Sequence, residues 1–174
     1  RKPKCAALVA LGAMKAEGKV SEVADNLADG DWEVRFCAVE AMGIMGPPAK
    51  DCADKIAALL DDDTYPVRAK ACFAVGSLGL EDQVDRLSEM LQDSTQSVRS
   101  EACGALGLLG EAANQYTGEL AKLLSDPSSP VRAAAAGALG NVGDGGKPYA
   151  SIVASLLYDT DPLVVATVCT ALGK

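Results

Sequence analysis

The sequence predicts an all-α fold: a right-handed α-solenoid, an α–α superhelix of stacked antiparallel helix pairs, about five and a half repeats long. Three observations carry that expectation. The first is a recurring pair, Val34-Arg35, Val67-Arg68, Val98-Arg99 and Val131-Arg132, with Val164-Val165 at a fifth site, so that the steps are 33, 31, 33 and 33 residues. The second is what travels with the pair. Asp stands five residues before each Val (Asp29, Asp62, Asp93, Asp126, Asp159), Ala six residues after the Arg position (Ala41, Ala74, Ala105, Ala138, Ala171), and Gly eight residues after it (Gly43, Gly76, Gly107, Gly140, Gly173). The third is composition. Apolar residues make up 49% of the chain but aromatics only 4%, so the core must be built from Ala, Leu and Val, small side chains that suit closely packed helices.

The elements follow in order. Residues 1–16 are a partial copy in which Lys4 takes the Arg position and Ala10 and Gly12 fall at matching offsets; residues 2–15 read as a second helix without its first. Full repeats follow at 17–46, 47–79, 80–110, 111–143 and 144–174, forming a single array. The first helix of a repeat carries apolar residues at i, i+3 and i+4: Ile56, Leu59 and Leu60; Leu87, Met90 and Leu91; Leu120, Leu123 and Leu124; Val153, Leu156 and Leu157. That spacing gives one buried face. The second helix is announced by an N-cap residue, Asp31, Thr64, Thr95, Ser128 or Asp161. Pro66, Pro130 and Pro162 fall in its first turn, where the missing N–H costs nothing. It then runs about twelve to fourteen residues to a glycine pair read as its stop, the second glycine being Gly46, Gly79, Gly110 or Gly143. Connectors hold the length changes: Gly46-Pro47-Pro48 is a stiff corner and Gly79-Leu80-Glu81 a compact one. Leu163, Val164, Val168 and Leu172 offer apolar surface on the last helix, and the chain starts at Arg1, so the expectation is a section of a longer array, or ends covered by partners.

Charge and composition exclude several function classes. The net charge is −8 and the pI about 4.5, with no Lys/Arg-rich cluster, so neither nucleic acid nor an anionic membrane surface is expected as a partner. No apolar run reaches the length of a membrane span. Histidine is absent, which removes Ser-His-Asp and Cys-His catalysis and imidazole metal ligation. The six cysteines, Cys5, Cys37, Cys52, Cys72, Cys103 and Cys169, form no C-x-x-C pair and read as reduced thiols in an intracellular, reducing compartment, the cytoplasm ahead of an organelle such as a plastid. Cys72, Cys103 and Cys169 share one repeat offset that other units fill with Leu8, Val39 and Ala136, so it reads as a core position. Asp61-Asp62-Asp63 lacks the alternating ligands of a calcium loop, and Gly145-Gly146-Lys147 lacks the spacing of a phosphate loop. No cofactor and no metal are expected.

The pattern D-x4-V-R followed by A-x2-A-x-G, as in "DPSSPVRAAAAGALG" and "DDTYPVRAKACFAVG", resembles HEAT repeats, in particular the phycobilisome-lyase-type HEAT-like repeats. The resemblance implies that Asp29, Arg35, Asp62, Arg68, Asp93, Arg99, Asp126 and Arg132 form a structural ladder of hydrogen bonds along the inter-helix turns. On this reading Arg132 reaches Asp126 or the preceding unit's Asp93, and Val165 leaves Asp159 without its own-unit partner. The resemblance also implies that second helices line a concave face.

Four aromatic residues are candidates for partner binding. Trp32 and Tyr65 each follow an N-cap and sit on the turn edge, as interface anchors or as local packing. Phe36 and Phe73 lie on second helices at offsets one helical turn apart, beside Glu40, Lys70, Ser100, Ala133 and Thr170. The groove they imply is aromatic near one end and small-walled toward the other, a shape for a partner helix or extended peptide. The expected function is a non-catalytic scaffold or adaptor, bound to other proteins within a larger complex. Similar repeats act as bilin lyase subunits, so the alternative is a lyase-like subunit or chaperone handling a tetrapyrrole. An iron hydroxylase of the deoxyhypusine type needs His-Glu pairs that these residues do not supply.

Overall fold

The computed structural model describes residues 2–173, and among these there are helices and turns but no strand. The long helices are the second ones of the repeats: α1 (Lys2–Ala13), α3 (Trp32–Met45), α5 (Tyr65–Leu78), α7 (Gln96–Leu109), α9 (Ser129–Asn141) and α11 (Pro162–Leu172). Each packs on the next in chain order. The first helices are short, α2 (Val20–Ala24), α4 (Ala53–Ala58), α6 (Val84–Glu89), α8 (Thr117–Lys122) and α10 (Ala150–Ser155), and lie behind the stack, each against its own second helix.

The first helices depart from the continuous form that the apolar spacing suggests. In the second full repeat a 3-10 stretch, Pro47–Cys52, precedes α4, and another, Leu59–Asp61, follows it. The two prolines open the first stretch, where the missing N–H groups fall on positions a helix start leaves unpaired. The second stretch is tighter than an α-helix, and Leu59 and Leu60, adjacent in sequence, are both buried. The chain then leaves the helix through an extended Asp62 (φ −62°, ψ 140°), which starts the turn into α5.

The predicted N-caps stand where expected, but only two work through their side chains. Asp31 accepts from Glu33 N–H and Asp161 from Leu163 N–H. At Thr64, Thr95 and Ser128 the hydroxyl makes no cap bond. Instead the Asp two residues earlier binds the cap residue's own N–H, at 2.9 Å for Asp62, 2.7 Å for Asp93 and 2.9 Å for Asp126. The turn is thus tied by an Asx-type bond before the helix begins.

The glycine pair divides its labour. Gly46, Gly79, Gly110 and Gly143 have φ of 81°, 62°, 58° and 71°, left-handed values that favour glycine, and they end or follow the second helices as stops. Gly43, Gly76, Gly107 and Gly140 are not stops. They lie inside the helices, each against the alanine of the next unit: a Cβ on Gly76 would sit 2.6 Å from Ala105 Cα, and one on Gly140 2.9 Å from Ala171 Cα. Gly12 meets Ala41 in the same way. The recurrent Ala and Gly of the motif are therefore the two halves of one helix–helix contact, with backbones close enough to leave no room for a methyl.

The core runs the length of the stack. The Val of every motif is buried, from Val34 to Val164, together with Met42, Ile56, Leu60, Leu87, Leu91, Leu106 and Leu120. Cys72 and Cys103 are buried as their offset predicts, but Cys169 is exposed, because α11 is packed on one side only. On the same helix Leu163 and Leu172 face solvent while Val164 and Val168 do not, so its apolar surface is smaller than the sequence suggests.

Candidate functional site

The arginines of the motif point forward along the chain. Arg99 Nε and Nη2 bind Asp126 Oδ2 and Oδ1 at 2.9 and 3.1 Å, and Nη1 binds the carbonyl of Asp93 at 2.8 Å. Arg35 treats Asp62 and the Asp29 carbonyl in the same way, and Arg68 treats Asp93 and the Asp62 carbonyl. Arg132 takes Asp159 in a fork at 2.8 and 2.9 Å, with the carbonyl of Asp126 at 2.9 Å. This corrects the expected pairing. The Asp of an arginine's own unit gives it a backbone carbonyl, and the carboxylate comes from the following unit. Asp159 is accordingly partnered, by Arg132, despite Val165. The Asp with no arginine behind it is Asp29, and Lys4 takes the place of the missing guanidinium at 2.5 Å.

Each inner carboxylate is pulled two ways. Burial alone would raise Asp62, Asp93 and Asp126; hydrogen bonds from the arginine and from the turn N–H outweigh it and leave all three below their ordinary value. Nε, Nη1 and Nη2 of every one of these arginines are engaged within the chain. Each arginine thus joins two consecutive units through its guanidinium.

A surface of a different kind lies on the second helices. Phe36 and Phe73 are half-buried, and the Phe73 ring packs against Gly43, where an added Cβ would lie 2.9 Å from Cε1. Lys70 Nζ lies 5.5 Å from the centroid of Phe36 and 5.2 Å from that of Phe73, and pairs with Glu40 Oε1 at 2.8 Å. Trp32 and Tyr65 open α3 and α5 and are 39% and 52% exposed. Further along, Ser100, Gly104, Ala133, Ala134, Gly137 and Thr167 line a shallow trough of about 360 Å³. The structure thus brings Phe36 and Phe73 around one lysine and leaves Trp32 and Tyr65 on the turn edge. Sequence reasoning names Lys70 and Glu40 only as neighbours. Their spacing carries the missing signal, since Phe36 and Glu40 are one turn apart on α3, as Lys70 and Phe73 are on α5.

Other sequence features resolve structurally. Asp61 pairs with Arg86 and Asp62 belongs to the ladder. A Cβ on Gly146 would collide with the Leu139 carbonyl, so that glycine serves close backbone approach. Among the described residues no group of three or more His, Cys, Asp or Glu could hold a metal ion, and no helix is long and apolar enough to cross a membrane.

Several solved structures share this architecture. The complex of CpcE and CpcF of phycocyanin lyase from Nostoc sp. PCC7120 aligns with a TM-score of 0.78 and 22% identity over 88% of this chain and 63% of that one. A designed armadillo repeat protein in complex with the peptide (KR)4 aligns with a TM-score of 0.75 and 19% identity over 97% of this chain and 90% of that one. An engineered protein aligns with a TM-score of 0.76 and 20% identity over 99% and 92%. At these identities the likeness is one of fold. No curated protein sequence matches the chain. The family model for HEAT repeats matches residues 53–117 and 117–174, well over half of the sequence and in register with the stacked helix pairs, and the chain belongs to the HEAT-repeat family.

Proposed function

We propose that this chain is a non-catalytic interaction scaffold whose second-helix surface holds an extended segment or helix of a partner protein, with Trp32, Phe36, Tyr65 and Phe73 as its anchors. The observation that supports it is the placement of the large aromatics. The one Trp and both Phe of the sequence lie on α3 and α5, and none of them takes part in the Asp–Arg ladder that ties the units together. Aromatic side chains left partly exposed on neighbouring helices are the usual anchors of an interface. The designed armadillo protein, a similar stack, binds a peptide, which supports the same use of the surface here. Asp29, Arg35, Asp62, Arg68, Asp93, Arg99, Asp126 and Arg132 are assigned to bracing the array, as part of one continuous stack of repeats. Six free thiols fit a reducing compartment.

Affinity purification of the full-length protein with mass spectrometry of the bound fraction tests the proposal. The triple variant Trp32→Ala, Phe36→Ala, Phe73→Ala is expected to lose its partners while keeping the helical circular-dichroism signal. Unchanged partner recovery by the folded variant would overturn the assignment. A bilin mixed with the purified protein is expected to keep its free absorption spectrum; a shifted visible band would favour the tetrapyrrole-handling alternative.

A further inference from the structure

Lys70 reaches out from α5 and comes to rest between two rings and a carboxylate. Its Nζ is 5.5 Å from the Phe36 centroid, 5.2 Å from the Phe73 centroid and 2.8 Å from Glu40 Oε1. Glu101 holds the same repeat offset on α7 as Lys70 on α5, and the two helices pack together; desolvation raises Glu101 above its ordinary value and the charge of Lys70 opposes that rise. Two aromatic faces and a carboxylate around an ammonium, with a second carboxylate on the adjoining helix, are the parts of a cation-binding cage. Here the occupant belongs to the chain itself.

The charges say which ligand could replace it. An incoming carboxylate would meet Glu40 and Glu101, both of its own sign. An incoming cation would meet both as partners, and the chain as a whole carries a net charge of −8. Lys70 can yield, since its side chain is 31% exposed and its flexible stem has solvent to swing into. Exposed apolar side chains stand on two of the helices that carry these residues. Ile44 on α3 and Leu108 on α7 are exposed, and they share the repeat offset of Asn141, which lines the trough on α9.

We propose that Phe36, Phe73, Glu40 and Glu101 form the specificity pocket of this surface: it receives a lysine or arginine side chain from a basic segment with apolar flanks, and Lys70 is a placeholder that the incoming cation displaces. This inference rests on the scaffold reading and names the chemistry of its partner. The displacement lowers apparent affinity by the fraction of molecules in which Lys70 fills the cage.

Fluorescence anisotropy with three labelled peptides tests it. The peptides share one pattern of leucines and carry Arg, Gln or Glu between them. Lys70→Ala, with Lys70→Gln as a second variant, is expected to bind the Arg peptide about fivefold or more tighter than the unaltered chain, because the competitor is gone. Lys55→Ala removes the same charge from an exposed position on α4 and is expected to change binding less than about twofold. Adding Glu40→Gln and Glu101→Gln to Lys70→Ala is expected to abolish the gain. Equal affinity of the unaltered and Lys70 variants for the Arg peptide would overturn the inference, as would an equal gain from Lys55→Ala. Binding of all three peptides alike, lost on Phe36→Ala and Phe73→Ala, would sink the cation pocket and leave the scaffold standing. Failure of the Arg peptide to bind any form would also sink the pocket, while the scaffold is judged separately by partner recovery.

Discussion

Arg99 and Asp126 show how one residue pair can hold two repeats together. The Asp126 side chain is 5% exposed and that of Arg99 15%, so neither charge has much water to fall back on. Asp126 also ties its own turn through Ser128 N–H, and Arg99 also binds the carbonyl of Asp93. The pair therefore links the cap of one unit to the turn of the unit before. Removing the arginine leaves a mostly buried carboxylate with a single N–H partner. Arg99→Ala is expected to lower stability by about 2–4 kcal/mol, less than the full cost of a stranded interior charge because the turn bond survives. Adding Asp126→Asn removes the stranded charge while keeping an acceptor for Ser128, and is expected to recover part of the loss. Urea unfolding of the two variants checks this. A single variant as stable as the unaltered chain would show that the fork contributes nothing, and a double variant weaker than the single would show that the charge is not the cause.

At the scale of the helix, the Gly–Ala contact sets how closely the second helices stack. Alanine is ordinarily the better helix former, by about 1 kcal/mol over glycine. At Gly76 that gain is outweighed, because the new methyl would lie 2.6 Å from Ala105 Cα, on backbone that can move only with the whole of α7. Gly76→Ala is expected to destabilise by about 1–3 kcal/mol. Gly104, at a different offset on the exposed side of α7, has nothing within 4 Å of where a Cβ would stand, so Gly104→Ala is expected to stabilise by about 0.4–1 kcal/mol. Thermal melts of the two variants should move in opposite directions; shifts of the same sign would contradict the packing argument. Legibility in the sequence follows the same division. Second helices and the positions of their caps can be read because they depend on residues near in sequence, and the repeat period because the motif recurs in register. Gly76 reads wrongly as a stop because its function depends on Ala105, a unit away. The forward reach of Arg132 to Asp159 is hidden for the same reason: periodic spacing says that an Asp lies in each neighbouring unit and not which one the side chain faces. The broken first helices, as at Pro47–Cys52 and Leu59–Asp61, escape because apolar spacing at i, i+3 and i+4 does not separate a long helix from a short one flanked by 3-10 turns.

The whole stack repeats one kind of junction, and that makes its response to acid collective. Asp62, Asp93 and Asp126 are each held below their ordinary value in the folded chain, the arginine fork and turn N–H overcoming the effect of burial. A carboxyl with a lowered folded value binds its proton first in the unfolded chain. Its stabilisation is therefore present above the unfolded value, about 4, and is lost as the pH falls through the lower folded ones. Glu101 has the opposite sign. Desolvation raises it, so its contribution favours the fold in acid and is lost as the pH rises through its folded value. The lowered ladder carboxyls, with Asp29 and Asp159 at the ends of the row also below their ordinary value, outnumber this one group, and the net expectation is a urea midpoint that is nearly level from about pH 7 to 5 and drops below about pH 4. In a linear array each unit leans on its neighbours. Protonation weakens several junctions at once, so the transition should move as a unit rather than split into a stable core and a frayed end. The link to the fork is tested in the same experiment. In Arg99→Ala, Asp126 has lost the partner that lowers it, so the variant should lose less additional stability between about pH 5 and 3 than the unaltered chain does. A midpoint that stays level to about pH 3, or an equal acid loss in both proteins, would mean that the ladder carboxyls are not what couples this stack to pH.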